Sequence, residues 1–299
     1  MSLTIGLVGV GPWGKHILRD LRTLGASVHA VSRSPDSIAR AQDGGAASIV
    51  AAPQDLPDCD GYVVANRTTA HLDAIEALLP RGAPIFCEKP LSSDVARARR
   101  LPAEAHQRLF IMHKWRYHPG VIELARIAQS GEHGPVEGLR SLRLGWGNPH
   151  ADANSLWVLG PHELSIALTV LGDVPVLVSA APDAVDPGAG AVAVMRSAAG
   201  APFVTEFSSG HPLPLRRIVL RCRDATCVLD QSDYAAVAVH RHAERAPQIV
   251  RVSDDMPLLA ELRAFLAHIG GGPAPLSSLA DELRIIETLA EIEAAIAAR

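Results

Sequence analysis

Leu3-Thr4-Ile5-Gly6-Leu7-Val8-Gly9-Val10-Gly11-Pro12-Trp13-Gly14-Lys15-His16-Ile17-Leu18 decides how this 299-residue chain is read. Residues 3–9 form an apolar run with the length of a buried strand. Residues 13–24 then place Ile17, Leu18, Leu21 and Leu24 at helical spacing, with Gly25 beyond the end. Between the two, Gly9, Gly11 and Gly14 fit G-x-G-x-x-G in the strand–turn–helix setting the pattern needs. The first glycine permits a tight turn, the second lets a pyrophosphate approach the backbone, and the third lets helix and strand pack closely. The helix N-terminus adds free N–H groups and the positive end of its dipole. Gly9, Gly11, Pro12, Trp13 and Gly14 are therefore predicted to bind a dinucleotide; a plain glycine turn is the alternative. Residues 9–15 also fit most of a P-loop, but His16 stands where the Mg²⁺-binding hydroxyl belongs.

Working outward, short apolar runs alternate with helical patterns. Strands are predicted at 27–32, 47–51, 61–66, 85–88 and 109–114. Helices are predicted at 37–42, at 69–79 capped by Thr68 or Thr69, and at 94–101 capped by Ser92 or Ser93. This alternation indicates a parallel, doubly wound α/β sheet. After about residue 118 strands dominate: 136–146, 174–181, 191–197, 203–208, 217–222, 226–229, 236–241 and 249–252, with helices at 121–129 and 160–171. Short connections favour an antiparallel or mixed sheet. Gly270-Gly271-Gly272-Pro273 reads as a loop, and Ser278 with Asp281 as the capping box of a last helix. The expectation is a Rossmann domain over 1–118 and an α+β domain with a large mixed sheet over 119–299, which suits a chain of this length.

The charge balance, 28 basic against 32 acidic residues, argues against a nucleic-acid-binding surface. No apolar run reaches the ~18 residues that span a bilayer. The N-terminus enters a strand at once with no basic leader, so a cytoplasmic protein with no membrane partner is expected. Cys59, Cys87, Cys222 and Cys227 fit no common zinc or redox spacing, so no metal is expected and the thiols read as reduced. Only Lys15, Lys89 and Lys114 are lysines, which makes each worth examining.

Cofactor choice turns on the end of the second strand. An NAD site carries Asp or Glu about 20 residues after the glycine turn. Here Ser32-Arg33-Ser34 stands there, and an arginine among hydroxyls suits a 2′-phosphate. NADP is favoured and NAD remains open, as does Arg33 as a solvated loop charge. Further on, Glu88-Lys89-Pro90 ends the fifth strand, on the side where open α/β sheets bind ligands. A lysine there can polarise a carbonyl or position a hydroxyl; the alternative is an exposed loop lysine.

At this point the chain resembles the glucose-fructose oxidoreductase / inositol dehydrogenase family of NAD(P)-dependent oxidoreductases. The resemblance rests on the glycine turn with Trp13-Gly14, Val64-Ala65-Asn66 with His71, and Glu88-Lys89-Pro90. It continues through Trp115-Arg116-Tyr117-His118-Pro119, Ser130-Gly131-Glu132-His133-Gly134-Pro135 and Leu159-Gly160-Pro161-His162-Glu163-Leu164. It implies hydride transfer between nicotinamide and a secondary alcohol or ketone of a sugar, cyclitol or nucleotide sugar. It also implies catalytic roles for Lys89 and His162, and places Asn66, His71, Glu88 and Lys89 at the cofactor. The family's aspartate four residues before the histidine is Val158 here, so a Lys-Asp-His relay is in doubt. His162 suits proton exchange because imidazole titrates near neutral pH. Arg116, Tyr117, His150 and Trp157 are candidates for substrate contact; an interdomain ion pair (Arg116, Tyr117) or a surface loop (His150, Trp157) is the alternative. A non-catalytic dinucleotide sensor and a reductase of imines or non-sugar carbonyls are the competing functions. A sheet covered by helices on one face predicts a homodimer or homotetramer.

Overall fold

The computed structural model describes residues 2–148, 152–184, 186 and 188–298. Contacts divide the chain into two compact units, Met1–Lys114 with Leu258–Ile286, and Trp115–Pro257 with Glu287–Arg299. The division differs from one at residue 118: it falls at 114, and 258–286 goes with the first unit.

The first unit is built on β1 (Thr4–Val8), β2 (Ser27–Val31), β3 (Ser48–Val50), β4 (Gly61–Val64), β5 (Ile85–Glu88) and β6 (Leu109–Met112), in the order β3-β2-β1-β4-β5-β6. Every pairing is parallel. β4, β5 and β6 are buried on both faces, which is why they read as unbroken apolar runs. Strand order reverses at β1, so the glycine turn leaves the sheet at its switch point. α1 (Gly14–Thr23) buries Ile17, Leu18 and Leu21; α2 (Pro35–Asp43) and α3 (His71–Leu78) follow.

Two predicted caps are corrected. α3 follows a 3-10 turn, Thr68–Ala70, and neither threonine caps it. α4 (Val95–Ala98) is shorter than expected and is capped by the Asp94 carboxylate, which accepts from the Arg97 N–H at 2.9 Å. A carboxylate is as good an N-cap as a serine hydroxyl, and Ser92 instead accepts from the Asp94 N–H. After the short α5 (Ala105–Arg108), the remaining helices of this unit lie far along the chain. α8 (Pro257–Ile269), which sequence periodicity did not reveal, adds Leu258, Leu262 and Phe265 to the core of Ile5, Val10, Ile17, Phe86 and Met112. Phe265 stacks on Phe86 with ring centroids 5.0 Å apart. α9 (Leu279–Ala297) opens on the predicted capping box, with Ser278 N–H donating to Asp281 and Asp281 N–H donating to Ser278.

The second unit carries β7 (Val136–Trp146), β8 (Val176–Pro182), β9 (Gly190–Arg196), β10 (Pro202–Ser208), β11 (Gly210–Cys222), β12 (Ala225–Asp230), β13 (Ala236–Arg241) and β14 (Gln248–Arg251). Their order is β14-β13-β12-β11-β7-β10-β9-β8, and the β7–β10 pair alone is parallel, so the sheet is mixed. α6 (Pro119–Ser130) and α7 (Ser155–Leu171) pack against it. The cross-strand row Ala180–Ala193–Thr205–Ser141–Ile218–Leu229 is buried throughout. The adjacent row, Ser179–Val194–Val204–Arg140–Val219–Val228–Ala238, is exposed or half-exposed at every position. Side chains alternate between faces along a strand, so the helices cover only one face.

Candidate active site

The glycine turn fits a pyrophosphate on its own geometry. Gly9 sits at φ +97°, and a Cβ there would lie 2.7 Å from the Asn66 backbone at the end of β4. A Cβ on Gly14 would lie 2.2 Å from the Gly9 carbonyl oxygen. Gly11, between them, faces open space to 4 Å. α1 begins after Trp13 with no side-chain cap and no acid in its first turn, so its N–H groups and dipole remain available to an anion. The outer glycines serve packing, and the central one leaves the cradle empty of side chain. Arg40 of α2, unmarked in the sequence, donates from Nε to the Val10 carbonyl at 2.9 Å and braces the turn. At the end of β2, Ser32 Oγ is buried without a hydrogen-bond partner. Arg33 is exposed and donates from Nε to the Ala51 carbonyl at 2.7 Å. Asn66 donates from Nδ2 to the Ala70 carbonyl, and its Oδ1 is buried without a partner.

One carboxylate ties this cradle to the lysine turn. The Trp13 indole N–H donates to Glu88 Oε1, and the Lys89 backbone N–H donates to Glu88 Oε2 at 3.1 Å. Lys114 Nζ lies 4.3 Å from the centroid of the Trp13 ring. The lysine turn is fastened from behind as well. His71 Nδ1 is 2.9 Å from the Pro90 carbonyl and Nε2 is 3.3 Å from the Asn66 carbonyl. Burial lowers the His71 pKa, so the ring is neutral, and the shorter contact assigns its proton to Nδ1. His71 thus braces the turn between the Pro90 and Asn66 carbonyls. The Leu91 N–H donates to Glu282 Oε1 at 2.7 Å, and Glu282 Oε2 is 2.6 Å from His113 Nε2, with both side chains fully buried.

Glu261 of α8 is 1% exposed, and neither of its carboxyl oxygens has a partner. Burial first, and then the charge of Glu88, hold its carboxyl well above the usual carboxylate range, against the pull of Lys114 and Lys89. Glu261, Glu282 and Arg40 carry no local sequence signal, because what each faces lies tens of residues away.

In the second unit, His162 is buried on α7, one turn after the apolar Val158 and on the same helical face. Pro161 supplies no N–H to the turn before it. Trp157 is buried, and its indole N–H donates to Glu293 Oε1 at 3.1 Å. Arg116 and Tyr117 are half-buried in the 3-10 turn Lys114–Tyr117. His150 lies outside the described residues. A cluster that sequence reasoning missed adjoins His162. Glu163, fully buried, pairs with Arg143 Nε of β7. The Arg143 guanidinium lies 4.5 Å from the Trp115 ring centroid, and Trp115 stacks on His118 at 4.8 Å with Tyr234 edge-on to both. Burial first, and then Arg143, push the His118 imidazole down to about 4.

A doubly wound sheet with an open glycine cradle and a tethered lysine turn defines a Rossmann-type α/β unit, and the mixed sheet covered on one side defines an α+β unit. Residues 3–113 match the oxidoreductase family with an NAD-binding Rossmann fold, GFO_IDH_MocA. Inositol 2-dehydrogenase 2 from Saccharopolyspora erythraea is 30% identical over 186 residues, 58% of this chain and 55% of that protein. The chain spans about half the length of the curated relatives it matches. UDP-N-acetylglucosamine 3-dehydrogenase GnnA from Acidithiobacillus ferrooxidans shares the fold at TM-score 0.85 and 21% identity, over 100% of this chain and 99% of that one. Levoglucosan dehydrogenase, solved with NADH and levoglucosan, does so at TM-score 0.87 and 17% identity, over 100% and 98%. At these identities the two structures establish the fold.

Proposed function

We propose that the protein exchanges hydride between a nicotinamide dinucleotide and a secondary alcohol or ketone of a sugar, cyclitol or nucleotide sugar. The observation that carries this reading is the Glu88 carboxylate, which holds the glycine cradle and the Lys89 turn in one hydrogen-bonded assembly. Bound nicotinamide supplies or takes up the hydride at C4. Lys89 orients and polarises the reacting oxygen. His162 exchanges the hydroxyl proton, a task suited to imidazole near neutral pH. Val158 carries no proton, so no carboxylate intervenes four residues before His162.

NADP is the preferred cofactor on this reading. Ser32 offers an unspent hydroxyl, Arg33 keeps its terminal nitrogens for a 2′-phosphate, and no acid stands there for a 2′-OH. Val158 also supports a second reading, a dinucleotide-binding sensor without turnover. The uncovered sheet face supports self-association as a homodimer or homotetramer.

The Lys89→Ala variant separates catalyst from sensor. Turnover of NADP(H) against a panel of sugars is expected to fall about 100-fold or more, with the cofactor Kd within about threefold of wild type. Wild-type turnover in that variant would remove Lys89 from the mechanism. Tenfold tighter binding of NAD than NADP would reverse the cofactor assignment.

A further inference from the structure

The second unit contains a charged cavity for which the proposed reaction has no use. It is lined by Trp115, Arg143, Glu163, Arg216 and Tyr234 over a floor of Ile218 and Leu229, with room for about one water molecule. Its electrostatics are unbalanced. Arg143 and Arg216 stand directly opposite each other on β7 and β11, and like charges in that position repel. Both belong to the helix-covered face, since they share it with Ser141 and Ile218 two residues away. Among the described residues, the one carboxylate lining the cavity is Glu163, already engaged by Arg143 Nε. Asp230 neutralises Arg217, whose side chain alternates to the other face. Arg216 makes no ion pair among the described residues. Two donors add to the imbalance: Trp115 Nε1 and Tyr234 OH are buried with no hydrogen-bond partner. A buried donor left unpaired costs about 1–3 kcal/mol, so two around one cavity call for an acceptor from outside the chain.

We propose that this cavity receives one oxygen of an anionic group, a carboxylate or a phosphate, carried by the substrate. Trp115 Nε1 and Tyr234 OH donate to that oxygen, and Arg143 with Arg216 supplies the countercharge. Glu163, one residue beyond His162 on α7, holds Arg143 in place. The inference rests on the sugar-oxidoreductase reading for the word substrate. It narrows the class to acidic sugars: uronates on the one hand, sugar phosphates or nucleotide sugars on the other.

The test is equilibrium binding by calorimetry, which needs no turnover. D-glucuronate, D-glucose 6-phosphate and D-glucose are titrated into the full chain loaded with NADPH. At least one of the two anions is expected to bind about tenfold more tightly than glucose; which one identifies the group as carboxylate or phosphate. Arg216→Gln and Tyr234→Phe should each weaken that anion about fivefold or more, leaving glucose and NADPH affinities unchanged. Tyr234→Phe deletes only a hydroxyl without a partner and Arg216 is exposed at the rim, so both variants keep the fold. Anions that bind no better than glucose would overturn the proposal, the cavity then holding water alone. Anion binding that neither substitution weakens would overturn it too. Anion binding that follows the two residues, together with no hydride transfer to any sugar, would uphold the cavity and sink the oxidoreductase reading instead.

Discussion

Gly11 and Gly14 look alike in the sequence and differ in what a methyl group would meet. In Gly14→Ala the new Cβ meets the Gly9 carbonyl at 2.2 Å, and backbone cannot swing aside as a side chain can. That variant is expected to lose about 1–3 kcal/mol in urea denaturation. Gly11→Ala adds its methyl to open space, so its Tm should stay at the wild-type value. Its dinucleotide Kd should rise about tenfold, a loss of about 1.4 kcal/mol at the cradle. Equal effects on stability in the two variants would contradict the assignment. Glu261 supports a prediction in pH. Its carboxyl titrates well above 4.5 in the folded chain, so the native state holds a proton that the unfolded chain releases. Its contribution is therefore fully present below about pH 4.5 and is lost as pH rises. Glu261→Gln cannot titrate, so its Tm relative to wild type should climb between pH 5 and pH 8. A difference that does not change with pH would show that Glu261 ionises freely.

Elements were legible in the sequence where they show one apolar stripe or one alternation, and illegible where burial or proline erases the pattern. β7 was read at its observed bounds because one of its faces is covered and the other is not. α7 begins at Ser155, ahead of the expected 160, because it is apolar around most of its girth and Gly160-Pro161 resembles a break. β11 begins at Gly210, ahead of the expected 217, since Pro212 and Pro214 hide its first half. α6 opens at His118, whose Nδ1 accepts from the Gly120 N–H at 3.1 Å while its ring stacks on Trp115. With its pKa down at about 4, His118 stabilises the fold above pH 6.5 and progressively less as pH falls toward 4. His118→Asn keeps a capping acceptor but neither stacks nor titrates in this range. It should cost about 1 kcal/mol at pH 8, with the gap to wild type closing by pH 5. A gap that widens in acid would mean that the native ring is charged.

At the scale of the molecule, one face of the eight-stranded sheet remains bare. The row through Val194, Val204, Val219 and Val228 lies on it, and Val176 and Val178 of β8 are 67% and 59% exposed. Exposed valines on an uncovered sheet face favour association. Light scattering at micromolar concentration should return a multiple of the chain mass, and Val194→Asp should reduce it without lowering secondary-structure content. A wild-type monomer would assign that face another role.

The chain by itself determined both folding classes, the glycine turn, the Glu88-Lys89-Pro90 turn and the capping box at Ser278. Each is written in residues a few positions apart, so local geometry and hydrophobic period suffice to find it. Tertiary structure decided the rest. It set His71 between the Pro90 and Asn66 carbonyls, buried Trp157 against Glu293, and joined Trp13 to Glu88 across 75 positions. It also placed Glu261 and Glu282 behind the first unit's lysine turn, and set Arg143 opposite Arg216. The physical reason is common to all of these. A buried polar group takes its partner, its protonation state or its lack of either from what folding brings beside it, and sequence spacing carries no record of that.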